Sequence, residues 1–278
     1  DNNWADEVPQ DPEAQPPAAF LARREAALRA YYEHMPLRAA SLPRGIDMQL
    51  YRRVGWGDLA AFHVLDTRQY RSDQVGTPEE AARADRSILG AEQEGWLFDG
   101  LAHSSGRWNV LAQQVFLSEN DRRPGPEDAF DFDNWDGYRA SRDRLLGFLG
   151  SRRPSNPIVL TGDRHYNWVA DLMANVADPA SPVLGTEFVG TSISTGGDEI
   201  PGLADALFDP VVPESPHWRY FDAARGYLRC ELDRRSWQTD LRVVSAVSTP
   251  DATVSTRASF VVEDGRAGVT QTAGPALV

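Results

Sequence analysis

The sequence predicts a layered α/β sandwich built as one unit. Two observations carry that expectation. Strand-like and helix-like segments alternate as far as about residue 172, and beyond it antiparallel-type strands dominate. No internal repeat or low-complexity block interrupts the order, and 278 residues are ample for one large core.

The first 17 residues are polar and carry Pro9, Pro12, Pro16 and Pro17, the composition of a loop over a surface or a lid. Helical spacing begins at Ala18 and runs to Tyr32, with Phe20, Leu21, Ala27, Leu28 and Tyr31 three and four apart; His34-Met35-Pro36 ends it. Residues Met48–Val54 and Leu59–Leu65 read as two strands joined by a turn at Gly55-Trp56-Gly57. Ala91–Ala102 is a helix with Trp96, Leu97, Phe98 and Leu101 on its apolar side, and Trp108–Leu117 a buried strand. Tyr138–Leu149 is a further helix, and Pro157–Leu160 a short apolar strand running into Thr161-Gly162-Asp163-Arg164-His165. Strands are expected again at Trp168–Leu172, Glu187–Val189, Tyr227–Leu232, Thr239–Val247 and Arg257–Val262. Residues 1–264 form the domain, and 265–278, rich in Gly, Ala and Thr, are expected to trail as a flexible tail.

The 41 acids against 28 bases give a formal charge of -13, a field that repels phosphate backbones and speaks against a stable nucleic-acid complex. Every base is arginine, which we read mainly as nucleotide bias in a GC-rich genome. No run approaches the ~20 apolar residues needed to span a bilayer. The one cysteine, Cys230, excludes an internal disulfide framework and a multi-cysteine zinc site, and its alternating surroundings make it a half-buried strand residue. The chain starts at Asp1 and shows no signal peptide, which processing or truncation would equally explain.

The sharpest local signal is the strand-to-loop switch at Ile158–His165. A buried strand delivers its carboxy-terminal end to a sheet edge, where α/β folds bind ligands. Gly162 permits the turn, and Asp163 and His165 offer an oxygen and an imidazole nitrogen two residues apart. That pair suits a multivalent cation that polarises a phosphoryl oxygen; an Asp-capped turn beside a histidine is the plainer alternative. Asp66-Thr67-Arg68 repeats the architecture, and Arg68 is either a bidentate phosphate donor or half of a structural ion pair. Gln113 and Gln114 lie in a buried strand and need partners, either structural or supporting loops around a site. Asp131 and Asp133 read as loop anchors and Asp136 as the cap of the following helix. Thr191–Gly197 is a small-residue loop that either approaches a phosphate or packs closely, and it lacks a P-loop lysine. His34, His63 and His103 read as fold or surface residues, and His217 stays ambiguous.

Taken together, Asp1-Asn2-Asn3-Trp4, Tyr31–Arg38, Leu65–Arg71, Leu89–Gln93, Trp135–Tyr138 with Arg142, Gly162–His165, Thr186–Phe188 with Thr191-Ser192, and Arg225–Tyr227 resemble, in order and spacing, the landmarks of the PhoD-like phosphatases. The resemblance runs to about Gly265. It implies a four-layer α/β/β/α sandwich of the metallophosphoesterase type, incomplete here on its amino-terminal side. It implies export, often by the twin-arginine route, and metal-dependent hydrolysis of phosphomonoesters and phosphodiesters with calcium and ferric iron. Carried over by motif, Asp163 and His165 become metal ligands, His165 and Arg68 catalytic candidates, and Asn2 or Asn3 a lining of the metal site. The family's Asp-Asp-His-Glu motif, Gly-Asp-x-x-Tyr motif and ligand cysteine would precede Asp1, so this chain alone is expected to be inactive, its missing strands leaving an exposed sheet edge. The rival expectations are a nuclease or phospholipase D-like diesterase on the same fold, and a non-catalytic surface or binding protein with a decayed site.

Overall fold

A computed structural model describes residues 2–277. In chain order the elements are α1 (Pro17–His34), β1 (Arg52–Trp56), β2 (Ala60–Val64), α2 (Pro78–Ala81), α3 (Gly90–Ala102), β3 (Trp108–Ala112), α4 (Arg139–Arg152), β4 (Pro157–Thr161), β5 (Asn167–Met173), β6 (Val183–Val189), α5 (Leu203–Phe208), β7 (Trp218–Asp222), β8 (Gly226–Leu232), β9 (Ser236–Val244), β10 (Val254–Glu263) and β11 (Thr270–Ala273). They make a mixed α/β fold of two sheets. The larger has seven strands in the order β1-β2-β3-β4-β6-β5-β7, and the smaller four in the order β11-β10-β9-β8.

Strands β2, β3, β4 and β6 are mutually parallel, while β1, β5 and β7 join antiparallel. The smaller sheet is antiparallel throughout. Side-chain alternation splits each central strand between two cores. Leu111 and Val159 face Leu97 and Leu101 of α3 and Leu145 and Leu149 of α4. Their neighbours Val110 and Ile158 face the opposite way, onto Trp237, Leu241, Phe260 and Val262 of the small sheet. Helices, large sheet and small sheet are thus three stacked layers. A third cluster around Trp168, with Phe116, Phe208, Trp218 and Phe221, closes the β5–β7 side. Each large side chain buried this fully contributes ~1.5–3 kcal/mol relative to exposure.

Several boundaries move from the sequence reading for identifiable reasons. β1 begins at Arg52 because the backbone of Met48 is already committed to the Gln69 amide, which accepts from Met48 N at 3.2 Å and donates to Met48 O at 2.9 Å. The strand continues through Gly55 and Trp56, and the turn falls later, at Gly57 with φ 54°. β3 ends at Ala112, five residues early, and the side chains of Gln113 and Gln114 beyond it bond the ends of neighbouring strands. α4 carries no side-chain cap: Asp136 pairs with Arg142 instead, fully buried. β7, α2 and α5 were not foreseen. Within the segment read as a trailing tail, Thr270–Ala273 pairs with β10 as β11.

Candidate functional site at the parallel strand ends

The parallel strands point their carboxy-terminal ends the same way, so residues 65–69, 113–118, 162–166 and 190–195 emerge along one edge. Side chains interlock these loops. Gln114 accepts from Thr67 N and Thr67 Oγ1 at 2.9 and 2.8 Å and donates to Leu65 O at 2.9 Å, while its own carbonyl accepts from Gly162 N at 3.2 Å. Gln113 donates to Thr161 Oγ1 at 2.7 Å and accepts from Trp135 Nε1 at 3.2 Å. Thr161 donates in turn to Glu187 at 2.6 Å. The two glutamines therefore find their partners across the strand ends.

On this base stands the Gly162–His165 loop. Asp163 and His165 are both exposed and both left-handed, with φ of 64° and 59°. Asp and His enter that region more readily than most side chains, yet consecutive alternation of this kind holds only where the surroundings enforce it. The enforcing groups are visible. Arg164, between them, turns inward to Asn120 Oδ1 at 3.3 Å and lies 3.8 Å from Asp131. The His165 carbonyl accepts from Thr191 Oγ1 at 3.2 Å and from Arg225 at 3.1 Å. Asp163 and His165 are left facing outward from a rigid mount. Desolvation raises the Asp163 carboxyl, nearby Asp133 and Asp131 adding to it against the pull of Arg68 and His165.

Arg68 reaches the same edge but is not free. Its two terminal nitrogens donate to the Asp133 carboxylate at 2.6 and 2.8 Å, and Arg71 and Gln74 donate to it at 2.7 and 2.5 Å. Burial pushes the Asp133 carboxyl up, but the Arg68 hydrogen bonds and the charges of Arg71 and Arg68 outweigh it and hold it below its ordinary value. The chain's beginning is drawn to this clamp: Asn3 O accepts from Arg71 at 2.9 Å, Asp6 N donates to Arg68 O at 3.0 Å, and Arg24 of α1 donates to Asp6 O at 2.8 Å. Asn2 is exposed beside it, and among the described residues no hydrogen bond joins Asn2 to Asp163 or His165.

Asp163 and His165 provide one hard oxygen and one imidazole nitrogen, a donor pair that fits a multivalent cation. Among the described residues no group of three or more His, Cys, Asp or Glu could by itself hold a metal ion. His217, ambiguous in the sequence, is buried behind the edge, its ring nitrogen 2.7 Å from Glu119 O, and burial lowers its pKa to about 4. The sequence reading missed Arg71, Asn120 and Glu187 as parts of this construction. Glu187 left a signal, a carboxylate directly before the apolar pair Phe188-Val189.

A mostly parallel sheet whose strand-end loops are locked together, with an acid and an imidazole exposed on one of them, defines a mixed α/β protein. The chain belongs to the PhoD-like phosphatase family, whose model matches residues 1–241. It is 44% identical over 275 residues to alkaline phosphatase D of Bacillus subtilis (strain 168), covering 97% of this chain and 46% of that protein. A solved structure described as the structure of PhoD superposes with a TM-score of 0.92 at 42% identity, covering 99% of this chain and 53% of the other. The chain thus spans about half the length of the relatives it matches.

Proposed function

We propose that the full-length protein hydrolyses phosphomonoesters and phosphodiesters with bound metal, calcium and ferric iron by family resemblance, and that it acts after export. The outward-facing Asp163–His165 pair on its locked loop carries this reading, together with membership of a phosphatase family. In the complete protein the three layers described here belong to the four-layer α/β/β/α sandwich, the remaining strands joining on the amino-terminal side and supplying further ligands. This chain is a single piece of that domain and is inactive alone.

Asp163 and His165 hold the cation. When bound, it supplies positive charge that draws electron density from the phosphoryl oxygens. Arg68 brings a guanidinium to the same edge, held by Asp133, and its remaining in-plane N–H groups can donate to a substrate phosphate without leaving the clamp. Asn2 and Asn3 line the approach beside Arg71. The small-residue loop at Thr191 fixes the His165 carbonyl and so the direction of the imidazole.

In the full-length protein, p-nitrophenyl phosphate turnover is expected to be abolished by chelator. His165→Ala is expected to lower it ~100-fold with only a small drop in melting temperature, since the side chain is exposed and bonds nothing in the core, although alanine fits the left-handed backbone less well. Near-normal activity of that variant would remove His165 from the site.

A further inference from the structure

The buried acids of this chain fall into two groups. Asp133, Asp136, Asp171 and Asp240 each lie within ion-pair distance of an arginine, respectively Arg68, Arg142, Arg219 and Arg229. Asp66 and Glu187 are as deeply buried and form no ion pair among the described residues. Both sit at the carboxy-terminal ends of parallel strands, under the one edge that carries Asp163 and His165. Asp66 caps its own loop through Arg68 N, Gln69 N and the Gln69 amide. Glu187 is more unusual, because its donors come from a distant loop and from β4: Leu117 N at 2.9 Å, Ser118 N at 2.8 Å and Thr161 Oγ1 at 2.6 Å.

We propose that Glu187 is the positioning residue of the cation site: it fixes the two loops that mount Asp163 and His165, and its charge is balanced by the cation they hold. The inference rests on the metal-dependent reading above. Thr161 stands two residues before Asp163, and Gln113 already donates to its hydroxyl, so that hydroxyl must give its proton to Glu187. Leu117 and Ser118 lead to Asn120, whose amide oxygen receives Arg164 between the two presenting residues. One carboxylate therefore sets the height of the loop from both sides. All three of its hydrogen bonds are accepted and favour the ionised group, but desolvation outweighs them and raises the carboxyl above its ordinary value. A buried charge without a cation is costly. A multivalent cation held by the outward-facing pair would add positive charge at the same edge and so favour the ionised Glu187. Glutamine at 187 would keep the volume, lose the charge, and turn an NH2 group toward a backbone N–H.

The test is cation binding to the metal-stripped full-length protein, followed by titration calorimetry with calcium and with ferric iron, and it needs no turnover. Glu187→Gln is expected to weaken binding ~10-fold or more, the usual effect of altering a residue that orients metal ligands. Asp171→Asn is the control. It alters an equally buried acid on the neighbouring strand β5 that is already balanced by Arg219 at 2.6 Å, and is expected to lower the melting temperature while leaving cation affinity within twofold. Equal loss of affinity in both variants would reduce Glu187 to a general stability residue and overturn the inference. So would parent-like affinity in Glu187→Gln. If the unaltered protein binds no cation and its turnover ignores chelator, the metal-dependent reading falls first and takes this inference with it.

Discussion

The two ends of the parallel sheet are held together by opposite means. At the amino-terminal end Arg107 donates to Asp264 at 2.7 Å, Asn156 donates to the same carboxylate at 2.7 Å, and Trp108 Nε1 donates to Asp233 O at 2.7 Å. These contacts are half-exposed and join the large sheet directly to the small one. At the carboxy-terminal end the stitching is buried and runs from loop to loop, through Gln113, Gln114, Glu187 and the Asp133 clamp, and it leaves Asp163 and His165 exposed in left-handed backbone. One end closes the fold. The other holds Asp163 and His165 in left-handed backbone with both side chains exposed.

Single substitutions separate the two ends. Asp133→Ala leaves the buried guanidinium groups of Arg68 and Arg71 without their carboxylate, and is expected to cost ~3–5 kcal/mol. Asp264→Ala opens a half-exposed pair and is expected to cost about 1 kcal/mol or less. Urea unfolding of both variants measures the gap. Equal costs would mean that the clamp is no more structural than a surface pair.

Acid should expose the next difference. Burial lowers both His217, behind the working edge, and His63, under α3, to about 4 in the folded protein, against an ordinary value near 6.5. Between those values the unfolded chain takes up protons that the folded chain refuses, so stability falls as pH drops from about 6.5 to about 4. The full penalty is roughly 3 kcal/mol for each ring below pH 4. Desolvation raises the buried carboxyls of Asp136 and Glu187, which act in the opposite sense over part of the range. The informative quantity is therefore the difference between parent and His217→Gln. That variant should lose less stability than the parent from pH 7 to pH 4.5; parallel profiles would place a charged His217 in the fold.

Much of this architecture was legible in the sequence, and the residues show why. Periodicity located α1, α3 and α4 within a few residues, because each buries a stripe: Phe20 and Leu28 of α1, Leu97 and Leu101 of α3, Leu145 and Leu149 of α4. The strand-to-loop switch at Ile158–His165 announced itself because an apolar strand running into Gly-Asp-Arg-His has few uses other than an edge. What escaped was long-range pairing. Nothing local says that Asp133 will meet Arg68 and Arg71 across more than sixty residues, or that Asp136 will turn to Arg142 rather than cap the helix. Met48 likewise looked like strand, since the Gln69 amide that claims its backbone lies twenty-one residues away. Glu187 stood in the sequence only as part of the Thr186–Phe188 landmark, and the fold gave it its partners.

The smallest expected effect tests how tightly the working edge is set. Asn120 accepts from Arg164, and its own backbone N–H donates to Asp136 at 3.1 Å. Asn120→Ala keeps the backbone bond and removes only the side-chain acceptor, so its stability cost should be about 1 kcal/mol. At the opposite end Arg234→Ala removes an exposed partner of Asp58 and should leave the urea midpoint unmoved. The two differ more in local opening than in global stability. Without Asn120, Arg164 loses the contact that holds it inward, and the left-handed pair beside it has less to enforce it. Amide exchange at residues 163–166 should quicken several-fold in Asn120→Ala while the strand amides of β4 stay protected, and Arg234→Ala should change neither. Unchanged exchange in both variants would assign the rigidity of that loop to the Thr191 and Arg225 bonds on the His165 carbonyl, which hold it from the other side.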